Sequence, residues 1–60
     1  MYVIKRHEDG AYVAPLGSVS SYTRSLQHAR VFTTREDAQL DCCGNESIVA
    51  IASELHRSNH

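Results

Sequence analysis

The sequence predicts a small α+β domain: a three- to four-stranded sheet in the order β-β-β-α-β, with one short helix packed on one face. Three observations carry this. Short β-prone runs recur at Tyr2–His7, Ala11–Ala14 and Ser47–Ala52, separated by Gly, Pro and Asp signals. One segment, TTREDAQLDCCG, has helix-start chemistry at one end and a glycine at the other. Sixty residues hold one domain.

Tyr2–His7 (YVIKRH) is aromatic and β-branched and reads as the first strand. Alternation puts Tyr2, Ile4 and Arg6 on one face and Val3, Lys5 and His7 on the other. Glu8–Gly10 is a turn, and Ala11–Ala14 returns as the second strand of a hairpin. Pro15 has no N–H for a ladder and ends that strand. Residues 15–21 form a polar, Gly-containing loop, with Tyr22 and Thr23 a short extended piece. Ser25–Ala29 reads as one helical turn capped by Ser25, and Arg30–Phe32 as a short strand.

Thr33 followed by Glu36 fits the capping box, and Thr34 followed by Asp37 fits it more weakly. Glu36 and Asp37 suit the positive end of a helix dipole. Gly44 is the expected stop, at positive φ. Ser47–Ala52 is a nearly continuous apolar run, the pattern of a strand covered on both sides or flanked by neighbours. The domain is thus expected over 1–52, with 53–60 a polar tail that frays. The unit from Arg30 to Ala52 permits either a right-handed parallel crossover or an antiparallel return. One sheet face is expected to be bare, lined by Val3, Val13 and Val49 or Ile51, and such a face invites a partner.

Composition narrows the function. A chain this short buries only about 60% of the surface its unfolded form exposes. Chains below ~70–80 residues usually need a staple or a partner subunit. A formal net charge of -1 argues against the broad basic footprint of a nucleic-acid binder. No apolar run approaches the ~20 residues of a membrane span. The MYVIKRHEDG start lacks the pattern of a signal peptide, so the expected location is cytoplasmic, with reduced thiols.

Adjacent Cys42 and Cys43 diverge on a helix and lack C-x-x-C spacing, so packing is their expected role. His7, His28, His56 and His60 are dispersed, with no metal-ligand motif, and neither a metal nor another cofactor is expected. The serines sit on no G-x-S-x-G elbow and no phosphate loop is present, so the expectation is a protein that is not an enzyme. The one basic-aromatic group is Tyr22, Arg24, Arg30 and Arg35, near His28. Guanidinium and phenol in one patch suit phosphate or an acidic protein surface. Acidic residues lie instead on the hairpin tip (Glu8, Asp9) and the helix side (Glu36, Asp37, Asp41, Glu46). That polarity suits electrostatic docking on a protein.

Tyr2–Lys5, Gly10–Val13 and Ser21–Ala38 follow the pattern Y-V-I-[KR], G-x-Y-[VL] and S-Y-T-x-x-L-x-x-A-[KR]-[VI]-F-x-T-[RK]-E-[DE]-A. In this the chain resembles very small single-domain proteins of bacteriophages and prophages, over about two thirds of its length. Several such proteins inhibit host defence or host enzymes by binding a protein target. The resemblance implies a phage or mobile-element accessory protein in the host cytoplasm that binds and inhibits a host protein, for example an antiviral defence component such as a CRISPR effector. The double cysteine and the HRSNH end depart from the pattern. Tyr22, Arg24, Arg30 and Arg35 are the expected partner contacts, and a homodimer through the open sheet face or an edge strand would extend the core. The alternatives are a small nucleic-acid- or nucleotide-binding module using the same arginines, and a purely self-associating structural protein.

Overall fold

The computed structural model describes residues 1–58, and side chains as far as Leu55. The elements are β1 (Tyr2–Arg6), β2 (Tyr12–Val13), β3 (Tyr22–Thr23), a 3-10 turn (Leu26–His28), α1 (Arg35–Asp41), β4 (Glu46–Ala50) and α2 (Ile51–Ser58). The strands form one antiparallel sheet in the order β3-β2-β1-β4. The α+β class is therefore as the sequence predicts.

The hairpin forms where alternation puts it. The Arg6 N–H donates to Ala11 O at 2.7 Å and the Gly10 N–H to Arg6 O at 2.9 Å. Gly10 takes φ 73°, which costs little without a Cβ. Pro15 then turns the chain away from β1, and Phe32 takes the vacated place beside Tyr2. Tyr2 and Phe32 exchange both backbone hydrogen bonds at 2.8 Å. The predicted strand Arg30–Phe32 is thus a single bridge, because only Phe32 reaches β1. Arg30 instead donates its N–H to Val13 O at 2.9 Å. The Ser25 side chain makes no cap for the 3-10 turn; its N–H donates to Thr23 Oγ1.

At α1 the capping residue is Thr34, not Thr33. Its Oγ1 accepts the Asp37 N–H at 3.1 Å. Phe32 is fixed to β1, so Thr33 serves to carry the chain off the sheet. Gly44 does not take positive φ; among the described glycines only Gly10 and Gly17 do. The helix ends instead at extended Cys42 (φ -80°, ψ 123°). A tight turn follows, in which the Glu46 N–H donates to Cys43 O at 3.1 Å.

β4 returns antiparallel to β1, pairing Tyr2 with Ala50 and Arg6 with Glu46, so no parallel crossover exists. It ends at Ala50 rather than Ala52. Ile51–Ser58 form α2, where a strand end and a fraying tail were expected. Asn59 and His60 lie outside the described residues.

α2 changes the layering. Ile4, Phe32 and Ala38 form the core under α1, with Tyr2, Val13, Cys42 and Ile48 packed around them. Val3, Lys5 and Tyr12 point to the opposite face, which was expected to be bare. There the buried Glu54 carboxylate of α2 accepts from Lys5 Nζ at 2.9 Å and from the Tyr12 hydroxyl at 2.8 Å. Val3 is fully buried on that side. Val13 belongs to the α1 face. The sheet is therefore covered by a helix on each face.

Candidate functional site

The face that α1 covers runs on past the helix to Arg6 and its cross-strand partner Glu46. The hairpin turn folds Asp9 back onto Arg6. Arg6 Nε donates to Asp9 Oδ1 at 3.0 Å and Nη2 to Oδ2 at 2.7 Å, a two-pronged pair. Asp9 Oδ1 also accepts the Ala11 N–H at 3.1 Å. β2 carries β3 alongside, so Tyr22 lies next to Arg6, whose guanidinium centre is 3.8 Å from the Tyr22 ring centroid. Such stacking of a cation on a ring is attractive. The Tyr22 hydroxyl donates to Glu46 Oε2, and Glu46 Oε1 accepts the Cys43 N–H at 2.9 Å. Arg6, Asp9, Tyr22 and Glu46 are thus each bonded to another member of the row or to the backbone beside it, which holds their side chains in one arrangement.

The electrostatics follow. The hydrogen bond from Arg6, with that from the Ala11 N–H, holds the Asp9 carboxyl well below the usual carboxylate range. The same bond, accepted by Asp9, raises Arg6 above its ordinary value. Burial pushes Glu46 up, but the Tyr22 hydroxyl and the Cys43 N–H outweigh it and the net direction is down. The hydrogen bond to Glu46 raises Tyr22. Burial likewise raises the Cys42 thiol, the direction that keeps it inert as a nucleophile.

A group lowered in the folded state contributes stability above its unfolded pKa, and that contribution is lost as pH falls toward the folded value. Stability should thus decline as pH drops through the ordinary carboxylate range, with Asp9 part of the cause. Asp9→Asn should lower the urea midpoint at neutral pH and flatten its fall toward about pH 3. Parallel acid limbs in the two proteins would show that the Arg6–Asp9 pair is not coupled to folding.

Of the predicted contact residues, Tyr22 and Arg24 belong to this row. Arg24 Nη2 reaches Asp9 Oδ2 only at 3.6 Å, and its side chain is 77% exposed. Arg30 is committed elsewhere. Its Nη1 donates to Asp41 Oδ2 at 2.7 Å, and its guanidinium lies 4.7 Å from the Phe32 ring. Arg35, the first residue of α1, stacks 5.2 Å from the Tyr2 ring. The predicted cluster therefore divides into Tyr22 on β3 with Arg24 just after it, and Arg30 with Arg35 about the Tyr2–Phe32 bridge.

β3 is an outer strand, and beside it opens a concavity of about 740 Å³. Pro15, Val19, Tyr22, His28 and Ala29 are among its walls. Leu16 and Val19, on the loop that Pro15 begins, are almost fully exposed. The sequence reading passed over this loop as polar; the signal in it was two aliphatic residues among serines and glycine. It also missed Arg6, Asp9 and Glu46. Arg6 sat in plain view on the Ile4 face, but its partners come from a turn and from β4.

Among the described residues no group of three or more His, Cys, Asp or Glu is placed to hold a metal. No helix among them is long and apolar enough to cross a membrane. No protein-family model, curated protein or solved structure matches the chain.

Proposed function

We propose that the chain is a non-enzymatic binding protein that docks on a host protein and inhibits it, using the concavity beside β3 and its rim. The observation that carries this reading is one juxtaposition. An open, largely apolar hollow adjoins an outer strand, with exposed Val19 in its wall, exposed Leu16 on the same loop, and Arg24 next in the chain after the strand. Exposed aliphatic surface beside an incompletely neutralised guanidinium fits a protein patch of apolar residues with a carboxylate at its edge. The row beneath holds Tyr22 in place, so little ordering cost falls on binding. The resemblance to small phage proteins supports a host target such as a component of antiviral defence. A nucleic-acid target is less well served, because Arg6 and Arg30 are already paired with Asp9 and Asp41.

The test is capture from a nuclease-treated lysate of the host cell by the wild type, Arg24→Glu and Arg35→Glu. Arg24→Glu should lose the captured protein and Arg35→Glu should keep it. Equal capture by all three would remove the β3 rim as the docking surface.

A further inference from the structure

The last strand poses a mismatch between sequence and position. SIVAIA reads as a strand with neighbours, yet β4 is the edge of the sheet opposite β3. Its partners on β1, Val3 and Ile4, are fully buried, whereas Val49 and Ile48 are only half-buried. Natural edge strands are usually shielded by lysine, proline or a bulge. β4 has none of these: five successive residues pair with β1 without interruption, and its one inward-turned charge, Glu46, sits at the first residue of the strand and leaves residues 47–50 uncharged.

The direction of its free backbone groups is fixed by parity. Tyr2 and Arg6 bond toward Phe32 and Ala11, so Val3 and Lys5 bond toward β4. The His7 N–H to Asn45 O and the Ile51 N–H to Met1 O keep the same parity at the two ends. Ser47 and Val49 therefore face β1, while the N–H and C=O of Ile48, the N–H of Ala50 and the C=O of Glu46 point outward.

We propose that β4 pairs antiparallel with β4 of a second copy of this chain about a two-fold axis at Ile48, joining two sheets into one. Each Ile48 would exchange both backbone bonds with Ile48 of the other copy. Each Ala50 N–H would donate to Glu46 O of the other copy. The register is self-complementary in charge. Glu46 falls opposite Ala50 and Ser47 opposite Val49, so no like charges meet. A heterologous strand would need its own complementary sequence, whereas a second copy supplies it by symmetry. Pairing would also cover the half-exposed Ile48 and Val49, adding apolar burial to a chain of only 60 residues. This surface is separate from the β3 concavity, so each proposal stands or falls alone.

Sedimentation equilibrium from micromolar to millimolar concentration, with the wild type and Ala50→Pro, tests it. Proline at an edge position removes an outward donor and leaves the preceding residue extended, as Val49 already is. The wild type should be a dimer at the upper end, and Ala50→Pro should weaken it by about tenfold or more. The Ile48 amide of the wild type should exchange with solvent more slowly as concentration rises, a readout that needs no variant. A wild type monomeric at millimolar concentration would overturn the proposal. So would a dimer whose Ile48 amide exchanges at the monomer's rate.

Discussion

Phe32→Ala should destabilise the protein by about 3–5 kcal/mol, the cost of emptying a buried aromatic site. A domain of this length is held by only about 3–9 kcal/mol in all. The variant should therefore be largely unfolded at room temperature or close to it. Phe32 is the one phenylalanine, it is 5% exposed, and it fills the space between Ile4 on β1 and Ala38 on α1. It also completes the sheet where Pro15 breaks it, by its bridge to Tyr2. Alanine keeps the bridge but leaves a cavity that Ile4, held in β1, and the short Ala38 side chain cannot close. Phe32→Leu keeps most of the volume and should cost much less, roughly 1–2 kcal/mol. Urea unfolding followed by circular dichroism measures both. A loss under about 1 kcal/mol for the alanine variant would mean that this cluster is not the core.

Glu54→Ala should have the next largest effect, a loss of about 1–3 kcal/mol from removing the acceptor of two hydrogen bonds. Glu54 is 4% exposed, and both Lys5 and Tyr12 donate to it across the second face of the sheet. The Lys5 side chain is 27% exposed and its ammonium can recover water, which keeps the effect below that of breaking a fully buried pair. Glu54→Gln preserves an oxygen for Tyr12 while losing the charge, so it should fall between the two. The location of the effect matters more than its size. Amide exchange should speed first along α2, and Val3 should gain exposure when the helix lifts. Unchanged exchange in α2 would mean that Glu54 does not anchor it.

These residues show where sequence reasoning reached and where it stopped. The β1–β2 hairpin was legible because alternation, the turn residues and Gly10 all agree locally. α1 was legible from its caps, although the stronger capping-box pattern named Thr33. The choice of Thr34 follows from the non-local bond of Phe32 to Tyr2, which no local pattern contains. α2 was missed for a related reason. Ile51 and Ala52 continue the apolar run of β4 and look like more strand, and the buried group on α2, Glu54, is a carboxylate that reads by sequence as part of a polar tail. The expected bare face followed from that omission. Gly44 misled because the turn after α1 is tied by the Glu46 carboxylate and backbone rather than by a left-handed glycine.

The candidate site was half legible. Tyr22 and Arg24 were visible as an aromatic and a cation in one short stretch. What holds Tyr22 was not, since Arg6 and Glu46 reach it only through the order β3-β2-β1-β4. Arg30 and Arg35 lay in the same stretch and fold away from it, onto Asp41, Phe32 and Tyr2. Nearness in sequence and nearness in the fold part company at the 3-10 turn.

The proposed docking surface is the concavity beside β3. Amide hydrogen exchange on the protein alone and in its captured complex tests this most directly. Exchange should slow only over residues 14–29 and the Asp9 turn, with α1 unchanged. Protection of α1 and the Arg30–Asp41 side, with residues 14–29 exchanging as in the free protein, would contradict it.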